Sequence, residues 1–142
     1  DRIDIQIDVP AVTPADLALP PSKDSSADVA ARVLAARTIS EARNGGCTNA
    51  ELSTAQLDHV AQADRDGQAL LQQAAETLSL TARGYHRVLR VARTLADLDS
   101  SENIRRLHIA EALAHRRGRK PTQSASDTFQ PSRRGKMGYE RR

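Results

Sequence analysis

The chain has 142 residues and a formal net charge of +3, and its only aromatic side chains are one Phe and two Tyr. This length suits a single domain with one core, and the prevalence of Ala, Leu, Arg, Gln and Glu favours helices over a β-sandwich. The sequence therefore predicts a mainly α fold: a small bundle of four to five helices with an orphaned N-terminal β-strand and a disordered C-terminal tail.

Charge is divided unevenly along the chain. Residues 116–142 contain nine Arg or Lys and two acidic residues, a net charge of +7. Residues 1–115 contain twelve Arg or Lys and sixteen acidic residues, a net charge of −4. The single cysteine, Cys47, cannot form an internal disulfide and gives no sign of an oxidising compartment. No apolar run approaches the roughly 20 residues that cross a bilayer, and the start of the chain lacks a signal-peptide core. We expect a cytoplasmic protein with no membrane partner.

The first 24 residues predict a strand and a connector. Four branched apolar residues alternate with polar ones before Pro10, which is the period of a half-buried strand: Ile3, Ile5, Ile7 and Val9. Nothing later in the chain offers a convincing partner strand. Because the chain also begins at Asp1 without an initiator Met, we expect an excised piece of a larger sheet protein. Residues 11–24 are rich in proline and predict a connector with one helical turn near 14–19.

Residues 25–116 predict the helical bundle. Ser25 or Ser26 can cap a first helix, which Gly45 ends, and Ser53 with Gln56 forms a capping-box pattern for the second. Asp64 can cap the third. Apolar spacing then predicts a helix over about 82–98 and a last helix containing Ile104, Leu107, Ala110 and Leu113. For the first helix, the inward stripe is predicted to include Ala27, Ala31, Leu34, Ala35, Thr38, Ile39 and Ala42.

No local motif in the chain defines an active site. The four histidines lack the spacing of a metal site, so we predict no metal ligands. Cys47 has no basic neighbour and is expected to be a plain exposed thiol. The phosphate-cradling pattern G-x-x-x-x-G-K-[ST] does not occur.

Arginines give the one suggestive pattern. Arg83, Arg87 and Arg90 follow the spacing i, i+4, i+7 and so share one side of the predicted 82–98 helix. Spacing alone leaves two interpretations open: a solvated basic face with Arg83 paired to a nearby acid, or an anion site for phosphate, which guanidinium binds bidentately. Arg2 lies between two aspartates and could simply pair with them.

Two stretches resemble the magnesium-chelatase-like AAA+ ATPases. DRIDIQIDV at the start is similar to the segment that closes the AAA+ core in this branch, with its L-x-D-R-[IF]-D motif. SLTARGYHRVLRVARTLADLDSSENIRRLHIAEALAHR, residues 79–116, resembles the helical lid of the ComM/YifB type, and Asn49-Ala50 fits that family's linker. The resemblance covers residues 1–116 in order. It implies that 1–24 hold the last core strand and connector, 25–116 the lid, and 117–142 a basic tail that the family motif does not match.

Position by position, the resemblance assigns roles to four arginines. Arg2 matches the arginine finger, which acts in trans on ATP held by the next subunit, and Arg83 matches the sensor-2 arginine. Arg83 and Arg87 are thus the expected nucleotide-binding residues, while Arg90 is a lid-face or packing position. Such an arginine stabilises charge on the transferring phosphoryl group. Since Walker A and Walker B are absent, we expect ATP and Mg²⁺ to serve only a full-length parent enzyme, with none bound by this monomeric piece.

Three functions remain open at this stage. The resemblance favours a hexameric ATPase ring that remodels DNA, as a helicase or branch-migration motor linked to competence. The alternative within the family is the motor subunit of a magnesium chelatase, which inserts Mg²⁺ into a porphyrin. A third interpretation is a helical interaction module whose cationic tail binds nucleic acid through its phosphates.

Overall fold

A computed structural model describes residues 3–20 and 24–116, and it is helical through most of that range. The helices are α1 (Pro14–Leu17), α2 (Ser26–Asn44), α3 (Thr54–Val60), α4 (Arg65–Thr77), α5 (Ala82–Leu98) and α6 (Arg106–Arg116). The helical fold class is confirmed, with five helices in the predicted bundle region. Arg2 and the predicted disordered tail after residue 116 lie outside the described residues. No helix in the described part is long and apolar enough to cross a membrane.

Capping side chains set the helix boundaries, largely where the sequence predicts them. Ser25 caps α2 in a reciprocal capping box with Asp28, and Gly45 ends that helix with a left-handed φ of 70°. The predicted box of Ser53 and Gln56 opens α3. These local rules explain why most of the boundaries could be predicted from short stretches of sequence.

Two connections lie side by side in the middle of the bundle. Asp64 caps α4 by accepting a hydrogen bond from Gly67 N at 2.7 Å. Its own backbone N–H donates to the carbonyl of Ile104 at 2.8 Å, next to an isolated parallel bridge between Ala63 and Ile104. The α3–α4 connection is thereby fixed to the α5–α6 connection. Ile104 belongs to this bridge and not, as the apolar spacing predicted, to the last helix, because that helix begins at Arg106.

The predicted N-terminal strand is not formed. Residues 5–13 have no regular secondary structure, and no strand is assigned anywhere within 3–20 and 24–116. The alternating side chains stay exposed, from 49% at Ile5 to 84% at Val9. A strand needs a neighbouring strand to satisfy its backbone N–H and C=O groups. The described part of this segment instead makes a backbone hydrogen bond to α6, from Gln6 N to the carbonyl of His115 at 2.9 Å.

Helix α5 is the central element of the core. It packs against α2, α3 and α6, and α4 packs against α6. Ala92 and Ala96 are completely buried on α5, where their small side chains let neighbouring helices approach closely. Larger side chains from the other elements fill the remaining space: Leu57, Leu71, Ile104 and Ile109. Burial of this size stabilises the fold by about 1.5–3 kcal/mol per large aliphatic side chain.

Helix α2 packs through a different face from the one predicted. Its buried residues are Ala36 and Ser40, while Leu34 is 67% exposed and Ile39 is 37% exposed. The predicted stripe was wrong because it rested on apolar spacing alone, whereas α2 approaches α5 through the small side chains of Ala36 and Ser40. The larger apolar residues of α2 remain on the surface.

A buried ionic network joins α2 to α5. Asp97 is 2% exposed, and its carboxylate accepts two hydrogen bonds from Arg43, at 2.6 and 2.9 Å, and one from Asn49 at 2.8 Å. Arg93, also 2% exposed, pairs with the same carboxylate at 3.0 Å. Its remaining donors reach the backbone carbonyls of residues 101 and 102, at 2.7 and 2.8 Å. Each buried charge therefore has partners on several sides.

The network keeps Asp97 ionised. Burial raises the pKa of this carboxyl group, but hydrogen bonds from Arg43 and Asn49 and the charge of Arg93 outweigh burial, so the net pKa lies below its ordinary value. A carboxyl group with a lowered folded-state pKa contributes stability above its unfolded pKa of about 3.9. That contribution is lost as the pH falls through the lower folded-state pKa.

Replacing Asp97 tests the weight of this network. We expect Asp97→Asn to lower the free energy of unfolding by about 3–5 kcal/mol, because two arginines would face a buried site without a countercharge. Urea denaturation followed by circular dichroism measures the loss. Asp8→Asn, at an exposed position outside the helices, is the matched control and should change stability by no more than about 0.5 kcal/mol. A loss below about 1 kcal/mol in Asp97→Asn would contradict the structural role.

Candidate anion site at the start of helix α5

The start of α5 leaves its positive end uncompensated. Thr81 caps the helix by accepting a hydrogen bond from Gly84 N at 3.1 Å, and the first turn contains no acidic residue. A Cβ at Gly84 would lie 2.8 Å from a guanidinium nitrogen of Arg116, so glycine leaves room for that side chain. Helix N-termini attract anions through free N–H groups and the macrodipole. Arg83 adds a full positive charge to this end.

A cleft of about 530 Å³ opens beside this helix end. It brings together the N-terminal segment, the start of α3 and one side of α5. Its lining residues are Asp4, Thr54, Ala82, Arg83, His86, Arg87 and Arg90. The predicted arginine stripe therefore lines one cleft, with a single carboxylate facing it among the lining residues.

Arg83 is the accessible arginine of the stripe. Its side chain is exposed, and its guanidinium makes no ion pair within the part of the chain that the structure describes. The predicted alternative in which a neighbouring acid neutralises Arg83 therefore has no support within those residues. The side chain is available to an external anion.

Arg87 is held inside the protein. Its side chain is 7% exposed and pairs with the half-exposed carboxylate of Asp4, which is 83 positions away in the sequence. This contact attaches the N-terminal segment to α5. Arg87 and Arg83 thus line the same cleft in different environments. Arg87 is buried and paired with Asp4, whereas Arg83 is exposed.

Arg90 lies deeper along the same side of α5. One of its terminal nitrogens donates to the backbone carbonyl of Leu52 at 2.9 Å. Its Nε is buried and has no hydrogen-bond partner within the described residues. The contact with Leu52 makes Arg90 a packing residue between α5 and the start of α3, with part of its guanidinium still unsatisfied.

His86 also lines the cleft. Its Nδ1 lies 2.7 Å from the carbonyl of Ala82, and its Nε2 lies 3.3 Å from a carboxylate oxygen of Asp58 on α3. His86 also fixes α3 against α5 at this point.

Sequence reasoning found the arginines and missed their partners. Arg83 and Arg87 were predicted as nucleotide-binding residues and do share the cleft, whereas Arg2 lies outside the described residues. Asp4 and Thr54 carried no signal, because their proximity to α5 comes from contacts distant in sequence. For the buried network, the i, i+4 spacing of Arg93 and Asp97 was a signal that could have been used.

Comparisons with known proteins place this fold in a family context. Residues 23–116 match the family model described as "Magnesium chelatase, subunit ChlI C-terminal". The chain is 35% identical over 117 residues to the competence protein ComM of Haemophilus influenzae. It is 33% and 34% identical to the uncharacterized protein YifB of Salmonella typhimurium and of Escherichia coli. These alignments cover 82% of this chain but 23% of each relative, so the chain spans less than a quarter of their length.

Thermal stability of alanine variants distinguishes an exposed arginine that is free to bind a ligand from one that supports the fold. We expect Arg83→Ala to shift the midpoint of thermal unfolding by no more than about 2 °C, since an exposed side chain without an ion pair contributes little to folding. Arg93→Ala, in the same helix, is the contrasting variant and should lower the midpoint by more than about 10 °C, because it leaves Asp97 underpaired in the core. Differential scanning calorimetry measures both, and a large loss in Arg83→Ala would make Arg83 a structural residue.

Proposed function

The chain belongs to the magnesium chelatase ChlI C-terminal family, and from that membership we propose that it is the helical lid of an AAA+ ATPase that remodels DNA. In this proposal Arg83 is the sensor-2 residue that contacts the phosphates of ATP. Arg2 is the arginine finger, supplied to ATP in the neighbouring subunit of a ring. In this proposal the nucleotide-binding core belongs to the part of the relatives that this chain does not match, since the chain covers 23% of their length.

The accessibility of Arg83 is the observation that carries the proposal. A guanidinium that is exposed, lacks an ion pair within residues 3–20 and 24–116, and lies at a helix N-terminus is arranged to meet an external anion. Its placement on α5 matters as well, because α5 is the central helix of the bundle. A phosphate bound by Arg83 would therefore shift the position of the whole lid, so that ATP binding and hydrolysis are coupled to a movement of this domain.

The choice of DNA as substrate rests on the relatives. One of them is named a competence protein, and DNA is the substrate class that we take from this name. The description of the family model supports a second candidate: a motor for metal insertion into a porphyrin, with Mg²⁺ as cargo. Both candidates use ATP hydrolysis with Mg²⁺, and both need Arg83, so they differ only in what stimulates the motor.

Steady-state ATPase turnover distinguishes these candidates. The measurement uses a longer polypeptide that joins this domain to its Walker-motif core, with Mg²⁺, in the presence and absence of forked DNA. We expect DNA to stimulate turnover, and Arg83→Ala to lower it by about 10²–10³, the usual cost of removing one group that stabilises transition-state charge. Arg106→Ala, at an exposed position on α6, is the control and should retain full turnover.

The outcomes separate the two parts of the proposal. DNA stimulation that persists in Arg106→Ala and disappears with turnover in Arg83→Ala supports both the substrate and the residue. Turnover that depends on Arg83 but ignores DNA favours a chelatase partner instead. Full turnover in Arg83→Ala contradicts its role at the phosphates.

A further inference from the structure

The contact between Asp4 and Arg87 occupies the position where an external anion would be expected. Arg87 is 7% exposed, and a guanidinium this deeply buried needs a partner that carries negative charge. A carboxylate and a phosphate both present two oxygens to the guanidinium fork, so either one can fill this role. Asp4 supplies it from within the chain.

The segment that carries Asp4 is open to solvent. Its described residues form no strand, its apolar side chains are exposed, and the Asp4 side chain is 45% exposed. Its contacts with the bundle include the Asp4–Arg87 pair and a backbone bond from Gln6 N to the carbonyl of His115 at 2.9 Å. Solvent reaches the Asp4 side of the pair, so a competing anion can approach it without opening the core.

The charges around the cleft favour exchange. Asp4 is the single acid among its lining residues, and it faces Arg83, Arg87 and Arg90. His86 also lines the cleft, and its ring is held by Asp58 from α3. A polyphosphate entering beside the exposed Arg83 carries more negative charge than one carboxylate. It would therefore compete well for Arg87.

We propose that Asp4 is an exchangeable internal anion that holds Arg87 until a phosphate group of the nucleotide displaces it. This inference rests on the proposed function, since it takes polyphosphate as the ligand of the cleft. Displacement breaks the contact between Asp4 and α5. Occupancy of the cleft is thereby linked to the position of the segment that begins immediately after Arg2.

The effect of removing the Asp4 charge on anion binding distinguishes two roles for Asp4: competition with phosphate, and support of the fold around the cleft. If Asp4 competes with phosphate, removing its charge strengthens anion binding; if Asp4 only supports the fold of the cleft, removing its charge weakens binding or leaves it unchanged. Asp4→Glu keeps the carboxylate and should retain the competition. Asp8→Asn is the matched control, because it removes the same charge from the same segment at an exposed position that does not line the cleft.

The test titrates the 142-residue chain with inorganic tripolyphosphate and follows the arginine side-chain Nε–H signals by NMR. We expect Asp4→Asn to bind about three- to tenfold more tightly than Asp8→Asn at low salt. The gain should disappear when Asp4→Asn is combined with Arg87→Met, which preserves bulk without the charge. Circular dichroism verifies that each variant remains folded.

Two results would overturn the inference, and they have different consequences for the lid function. Equal or weaker binding by Asp4→Asn, with binding still lost in Arg83→Ala, removes the role of Asp4 and leaves the phosphate contact of Arg83 in place. Arginine signals that do not respond to tripolyphosphate in any variant, up to millimolar concentration, remove both the exchange and the proposed phosphate contact.

Discussion

The carboxylate of Asp97 must remain ionised inside a helical bundle, and the rest of the structure depends on how that charge is accommodated. Arg43 at the end of α2, Asn49 in the following loop and Arg93 on α5 all point their donors at it. Arg93 extends the network to the turn that leads into α6. Two helices, a loop and the turn after α5 are thus fixed relative to one another by one buried anion. A core with few large side chains gains from this arrangement, because directional bonds define a single packing where hydrophobic contact alone is less specific.

The C-terminal end of α5 is anchored by this network, and the arginines along the helix differ in how deeply they are buried. Arg93 is completely enclosed and structural, Arg90 supports the start of α3, and Arg87 is buried but paired with a half-exposed carboxylate. Arg83, in the first turn, is exposed. The same residue type therefore serves packing at one end of the helix and is exposed to solvent at the other. This gradient is the physical basis for assigning function to the start of α5.

Local rules predicted much of the fold, and contacts distant in sequence account for most of what was missed. The capping residues Ser25, Ser53 and Asp64 act within three positions of themselves, so their helices could be located directly from the sequence. The inward face of α2 could not, since it depends on which side chains of α5 lie opposite. The N-terminal alternation predicted a strand, but pairing depends on a neighbouring strand that the described residues lack.

The candidate site shows the same division. The spacing of Arg83, Arg87 and Arg90 placed them on one side of a helix, and the structure confirms that they line one cleft. Spacing could not show that Arg87 is paired with Asp4 or that Arg83 is exposed, because both facts depend on the packing of distant segments. The functional role of Arg83 was inferred from family resemblance, and its availability is an observation of the structure.

The central claim is that Arg83 offers its guanidinium to the phosphates of ATP, and a direct test is a structure of the longer ATPase with a non-hydrolysable ATP analogue and Mg²⁺. The account predicts that a guanidinium nitrogen of Arg83 lies within about 3.2 Å of a phosphate oxygen, while the Asp97 network remains as it is here. If Arg83 instead points into solvent or pairs with an acid of the core, more than about 6 Å from any phosphate oxygen, the account of this cleft is wrong.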